Sequence, residues 1–180
     1  MSFSIRLQAT TPPVGLTYQV RWRDGTTVVE LSGEMNRTFD LAALARLLRD
    51  DAHVELDLAE VDRVDPHGVR AWLEFLGALA GVPDLRLVRC SPAVAVQLNL
   101  IYGLPDRARV VSLLAPYVCP RCGHEEEKEL AVAAVVRSGA DPVPPEVPCP
   151  RCGGSLALDE MPERYLRFLR DPAPGSACSG

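Results

Sequence analysis

The sequence predicts an α/β fold over its longer N-terminal part and a small cysteine-rich unit after it. Segments in which apolar and polar residues alternate, as in strands, are followed by segments with apolar residues three and four positions apart, as on one face of a helix. The motif Cys-Pro-Arg-Cys-Gly then occurs twice within residues 119–153. Strands that alternate with helices imply a mixed, mostly parallel sheet with helices packed on it.

Length and composition indicate a globular protein. The chain of 180 residues is long enough for one domain and a small second one, and 47% of its residues are hydrophobic. No apolar run reaches the roughly 20 residues needed to span a bilayer. The first residues lack the basic and apolar regions of a signal peptide, so we expect a cytoplasmic protein without a membrane span.

The charge balance argues against nucleic acid as a partner. The net charge is −5, with 12 basic and 14 acidic residues in 1–116 and 7 and 9 in 117–170. Nucleic-acid binding usually depends on a basic face that displaces counterions. Neither part of the chain is basic.

The N-terminal part begins with strands. Alternation in residues 3–7 predicts an extra strand within 1–15, and residues 16–22 and 27–31 read as two strands joined at Asp24-Gly25. Gly tolerates positive φ and Asp tolerates the left-handed region, so this pair predicts a tight hairpin turn. A first helix follows, with Asn36 or Thr38 as its cap and a buried stripe at Leu41, Leu44 and Leu48.

The central stretch, residues 53–72, predicts a strand that leads through a loop into a helix. Residues 54–58 alternate, and Pro66 occupies a position that suits the first turn of a helix, where no N–H group is lost. A strand at 85–88 comes next. Ser91-Pro92 then opens a third helix; residues 94–100 also alternate, but the cap and Gly103 as a stop favour the helix. A last strand is predicted over 108–114.

The order and spacing of several short motifs resemble the STAS domain, the fold of anti-sigma-factor antagonists and of the cytosolic tails of sulfate transporters. The resemblance extends over about residues 18–114. It is carried by Leu31-Ser32-Gly33-Glu34, residues 54–58 with Val61, Val64 and Asp65, then Gly68, Leu87-Val88, Ser91-Pro92 and residues 100–104.

The resemblance implies a docking surface for a protein partner at Asp65, Pro66, His67 and Gly68. In that family the loop reads Asp-Ser-Ser-Gly or Asp-Ser-Thr-Gly, and a partner kinase phosphorylates the hydroxyl residue before the glycine. Here that position is His67, which has no hydroxyl. Docking does not require the hydroxyl, so the partners implied are an anti-sigma kinase-like protein with an ATP-binding fold or a scaffold protein.

The two cysteine motifs predict a metal site. Cys119 and Cys122 form one knuckle, Cys149 and Cys152 the other, with 26 residues between them. Two such knuckles supply a tetrahedral four-thiolate zinc site and resemble the zinc ribbon. Four thiolates leave no position for water, so we expect one structural zinc per chain rather than a catalytic one.

Other interpretations of the cysteines are weaker. A thioredoxin-like redox pair needs one motif at a helix N-terminus, and disulfides are rare in a reducing compartment. His124 could replace a cysteine ligand, although a solvated histidine is favoured. Cys90 reads as a small core residue, and Glu125–Glu127 as a solvated edge.

The remainder of the chain completes the second unit. Residues 130–137 are predicted as a strand between the knuckles and 155–158 as a closing strand. A last helix opens at Pro162, and we expect its apolar side chains to pack on the ribbon rather than to serve a partner. The predicted domains are 1–116, 117–170 and a flexible tail, 171–180.

These patterns favour a non-catalytic protein-interaction or signalling module. The alternative is a zinc-ribbon regulator of transcription that binds nucleic acid through arginines, which are Arg121, Arg151, Arg164, Arg167 and Arg170. An enzyme ranks last, because Asp62 and Asp65 lie near His67 in the sequence but no serine, cysteine or second histidine does.

Overall fold

The computed structural model describes residues 4–5, 15–36, 41–100, 104, 107–136 and 141–170. Within these residues the N-terminal part forms a six-stranded sheet in the order β1-β2-β3-β4-β5-β6. Its strands are β1 (Ser4–Ile5), β2 (Leu16–Arg23), β3 (Thr26–Met35), β4 (His53–Val64), β5 (Asp84–Val88) and β6 (Ala108–Val110). β1, β2 and β3 pair antiparallel, and β3 to β6 pair parallel, which confirms the predicted mixed, mostly parallel α/β fold.

The turn between β2 and β3 follows from its two residues. Asp24 has a φ of 51° and Gly25 a φ of 79°, the left-handed region that a tight hairpin requires. The ladder runs from Leu16 opposite Gly33 to Arg23 opposite Thr26, so the predicted hairpin is present.

Helices cover one face of this sheet. They are α1 (Leu41–Leu48), α2 (Pro66–Ala78) and α3 (Pro92–Leu98), and each connects two neighbouring parallel strands. Right-handed crossovers in one direction along a sheet place all the helices on the same side. Leu44, Trp72 and Leu76 from the helices are buried together with Leu56 and Leu58 of β4. Of the two predicted caps of α1, Thr38 lies outside the described residues.

The other face of the sheet carries charged side chains. Asp84 of β5 accepts hydrogen bonds from Arg86 (2.6 Å) and Arg109 (2.5 Å), and His53 lies 3.3 Å from it. The hydrogen bond from Arg86, together with those from Arg109 and His53, outweighs burial and holds the pKa of Asp84 well below its ordinary value of 3.8. This carboxylate therefore stabilises the folded chain when it is ionised.

We expect Asp84→Asn to lower the free energy of unfolding by about 1 kcal/mol at pH 7, because the ionic hydrogen bonds to the arginines are lost. The loss is no larger because solvent screens the partly exposed arginines. A lowered pKa contributes stability above 3.8, and the contribution is lost as pH falls below that value. In urea unfolding, the difference between wild type and variant should shrink below pH 3.8. Asp62→Asn, at an exposed position, is the control; a difference independent of pH would contradict the assignment.

The second sheet has the order β8-β7-β10-β9 and its strands pair antiparallel. We call residues 112–136 and 141–170 the cysteine unit. Its elements are β7 (Ser112–Val118), β8 (Glu125–Ala131), α4 (Val132–Val135), β9 (Val147–Pro148), β10 (Ser155–Leu158), α5 (Pro162–Tyr165) and a 3₁₀ helix (Arg167–Leu169).

Two strand predictions were wrong in their bounds. The strand predicted over 108–114 is divided at Val111, because the Val111 N–H still donates to Leu87 of β5 while Ser112 begins pairing with β8. The strand predicted over 130–137 lies earlier, at Glu125–Ala131, and residues 132–135 are helical. The short turn after Cys119 brings the chain back at once, so β8 pairs with β7 along its whole length.

The two units are joined by backbone hydrogen bonds as well as by the chain. The Cys90 N–H donates to Ser112 O (3.1 Å), and the Leu114 N–H donates to Cys90 O (2.8 Å). The second sheet starts at Ser112, with Val111 alone between it and the end of β6. Among the described residues no helix has the length and apolarity needed to cross a membrane.

Candidate metal centre and docking corner

Each cysteine pair lies on a tight turn that is closed by backbone hydrogen bonds. In the first knuckle the Gly123 N–H donates to Cys119 O (2.9 Å), and the Cys119 N–H donates to His124 O (2.8 Å). Gly123 has a φ of 66°, which a side chain would disfavour. The turn thereby holds the sulfurs of Cys119 and Cys122 on one side.

The second knuckle repeats this geometry. The Gly153 N–H donates to Cys149 O (3.0 Å), the Cys149 N–H donates to Gly154 O (2.6 Å), and Gly153 has a φ of 70°. The repeated motif in the sequence thus gives two turns with the same hydrogen bonds. Cys149 is buried and Cys152 is half-buried, as are Cys119 and Cys122 respectively.

The four sulfurs form one compact group. Cys119 Sγ lies 3.5 Å from Cys152 Sγ, Cys122 Sγ lies 3.7 Å from Cys149 Sγ, and all four are within 4.8 Å of one another. Four thiolates bound at roughly 2.3 Å around one tetrahedral metal ion are about 3.8 Å apart. The cysteines predicted from the sequence are therefore placed so that they can hold a metal ion.

The neighbouring sulfurs and N–H groups shift the pKa values of Cys119 and Cys122 in opposite directions. Burial opposes ionisation of Cys119, but the N–H groups of Arg121 and Cys122 at its sulfur lower its pKa to about 6. The His124 N–H acts to lower the pKa of Cys122, but burial and the neighbouring sulfurs outweigh it and raise that pKa to about 12. Four thiolates this close repel one another unless a positive ion lies between them.

His124 is beside the first knuckle and outside the sulfur group. Its Nε2 atom lies 3.7 Å from Glu126 Oε2, and Lys128 Nζ lies 2.6 Å from Glu126 Oε1. Within the described residues, the cluster of metal-binding side chains consists of the four cysteines. Histidine ligation, the alternative considered for this position, is not favoured by this arrangement.

Cys90 belongs to the hydrophobic core. It is fully buried, and burial raises the pKa of its thiol to about 12. A neutral thiol in such surroundings packs like a small apolar residue, as the sequence predicted. Cys178 lies outside the described residues.

The predicted docking loop is a corner fixed by backbone contacts, which we call the docking corner (residues 65–68). Asp65 is the N-cap of α2, and its Oδ1 atom accepts a hydrogen bond from the Gly68 N–H (2.6 Å). The Asp65 N–H donates to Met35 O at the end of β3 (3.0 Å). A Cβ atom at Gly68 would lie only 1.9 Å from Met35 O, so only glycine allows this approach.

The corner presents Pro66 and His67 to solvent. Both are exposed, whereas Gly68 is buried and Asp65 is half-buried. No hydrogen bond or ion pair connects the His67 side chain to another described residue. The corner is thus a rigid support for one exposed imidazole.

Two polar contacts at the junction of the units had not been predicted. Arg89, whose φ is 48°, donates from Nε to both carboxylate oxygens of Asp57 (3.1 and 3.0 Å). Asn99, directly after α3, bonds to the backbone of the C-terminal segment. The alternation in β4 placed Asp57 on the polar face, but no local pattern pointed to Asn99.

Comparison of the whole chain with models of known protein families and with curated proteins found no match. The resemblance to the STAS domain and to the zinc ribbon therefore stays a prediction from the residues that carry it.

Proposed function

We propose that the chain is a non-catalytic protein-docking module in which a STAS-like domain carries the docking corner and a zinc ribbon stabilises the C-terminal part. The observation that carries the proposal is the corner itself. Two hydrogen bonds and one close backbone approach fix residues 65–68 and leave His67 exposed. A preorganised, exposed loop loses little entropy when a partner binds.

Zinc is the metal that this site would hold. Thiolate ligands are soft, and a closed tetrahedral set of four on two knuckles is typical of structural zinc. Because the four sulfurs fill the coordination sphere, the metal would stabilise the fold and would carry out no reaction.

The partner proposed is a protein of the anti-sigma kinase-like class or a scaffold protein. The His67 position cannot accept phosphate on a hydroxyl, so regulation by a serine kinase is not part of this proposal. The exposed Arg70 and Leu73 on α2 lie beside the corner and would extend the contact surface.

Native mass spectrometry of the protein isolated from its own cells tests the proposal. We expect one zinc per chain and a bound protein partner.

His67→Ala should weaken partner binding about tenfold or more without lowering stability, because an exposed contact residue is lost and no internal contact is lost. Arg151→Ala, at the exposed tip of the second knuckle, should leave partner binding unchanged. A chain isolated without a protein partner, or equal binding by His67→Ala, would contradict the proposal.

The second candidate is a regulator that binds nucleic acid. One observation favours it: Arg121 and Arg151 occupy the same position in the two knuckles, and both are exposed. In a gel-shift assay at moderate salt, this function requires binding that falls with salt and that Arg121→Ala and Arg151→Ala each weaken. His67→Ala would then have no effect, so the two functions give opposite patterns.

A further inference from the structure

The C-terminal strap, residues 162–169, lies across the junction between the two units. Tyr165 and Leu166 of the strap are buried, with exposed fractions of 4% and 0%. The strap follows β10 in the chain and therefore follows the second knuckle. Its polar contacts, however, are made with residues that precede the first knuckle.

Asn99 bonds the strap to the α/β domain. Its Nδ2 atom donates to Tyr165 O (3.0 Å), and its Oδ1 atom accepts from the Phe168 N–H (2.8 Å). Both ends of one side-chain amide are thus used on the backbone of the strap. Tyr165 Oη also donates to Leu114 O of β7 (2.6 Å), so the strap is bonded to both units at once.

The strap follows β10, a short strand with few ladder pairs. β10 pairs with β7 through two residue pairs and with β9 through two, whereas β7 and β8 share seven. Cys152 lies just before β10, and its sulfur is 3.5 Å from that of Cys119. A metal bound by the four cysteines would therefore add a strong restraint at the start of β10.

We infer that the strap is a metal-dependent clamp on the α/β domain. Metal at the four cysteines fixes β10, β10 fixes the strap, and the strap holds the end of α3 through Asn99. Binding equilibria that are coupled in this way are reciprocal. Asn99, which is no metal ligand, therefore raises the affinity of the chain for its metal. The inference rests on the proposed zinc site and is independent of the proposed protein partner.

The experiment measures the affinity of the full chain for Zn²⁺ in competition with a chromophoric chelator. Asn99→Ala removes both hydrogen bonds to the strap, together with one from Nδ2 to Ala95 O of α3 (3.1 Å). Because the two strap bonds are of ordinary strength, we expect zinc affinity to fall about tenfold. Gln97→Ala is the matched control, since Gln97 lies in the last turn of α3, two residues before Asn99, and its side chain makes no hydrogen bond among the described residues. Equal affinity of Asn99→Ala and wild type would overturn the inference alone, whereas a full chain that binds no zinc would overturn both the inference and the proposed zinc site.

Hydrogen exchange with mass spectrometry gives a second readout on the wild-type chain. On removal of zinc by a chelator, peptides covering 160–170 should lose protection together with the second knuckle, while peptides covering α1 keep theirs. If the knuckle loses protection and residues 160–170 do not, the strap is held independently of the metal and the inference fails. Because no protein partner is used, failure here leaves the proposed docking function untouched.

Discussion

Cys149→Ser is expected to weaken zinc binding by roughly 100- to 1000-fold. Structural zinc contributes about 10–16 kcal/mol of binding free energy in small zinc domains, and one ligand of four accounts for about a quarter of it. Cys149 is buried, and its backbone N–H donates to Gly154 O and closes the second knuckle. A serine hydroxyl is held in the same place and cannot replace the bond between the metal and the thiolate. Competition with a chromophoric chelator measures the affinity, and elemental analysis measures the zinc content.

Loss of the metal should also separate unfolding into two transitions. β9, β10 and the second knuckle should melt first, while the core around Leu56 and Trp72 melts later. Cys90→Ala is the control, because it removes a buried cysteine outside the sulfur group and should lower stability while one zinc per chain is retained. A Cys149→Ser protein that holds zinc as tightly as wild type would refute the assignment of this ligand.

Gly68→Ala is expected to lower the free energy of unfolding by about 2–4 kcal/mol. The new methyl group would lie 1.9 Å from Met35 O and 2.5 Å from Met35 C, and both atoms belong to the backbone. The corner would have to open, and the hydrogen bond from the Asp65 N–H to Met35 O would be lengthened or broken. Urea unfolding measures the loss, provided that the dependence of the free energy of unfolding on urea concentration is the same for the variant and wild type.

Gly77→Ala is the matched control for this prediction. Gly77 lies in the same helix, and a Cβ atom there would meet nothing within 4 Å. Alanine is the better helix former, so this variant should gain about 0.5–1 kcal/mol. The same substitution in one helix therefore has opposite expected signs. Equal effects of the two variants would show that the approach to Met35 is not what requires glycine at position 68.

Features encoded in adjacent residues could be predicted from the sequence. Asp65 and Pro66 define the start of α2, because one accepts a hydrogen bond from the first turn and the other has no N–H to lose. The cysteine spacing likewise predicted the group of four sulfurs. Each turn depends on local bonds alone, and a tetrahedral thiolate site needs two such turns.

Features that depend on distant pairing could not be predicted. Residues 125–129 are all charged, and nothing local marks them as a strand; they form β8 because β7 lies beside them. The apolar run that follows has no clear period, so it was assigned as a strand although part of it is helical. Asn99 meets its partners 66 and 69 residues later in the chain, and no local pattern carries that information.

The acidic side chains of β8 have a consequence for how copies of the chain behave in solution. Among the described residues β8 is an outermost strand of its sheet, and Glu125, Glu127 and Glu129 are exposed at alternate positions along it. An uncovered strand edge is a template on which another chain can add, and aggregation begins in this way. A row of like charges opposes such an addition, because the arriving copy would bring its own glutamates against the first set. The same residues therefore favour solubility at high concentration.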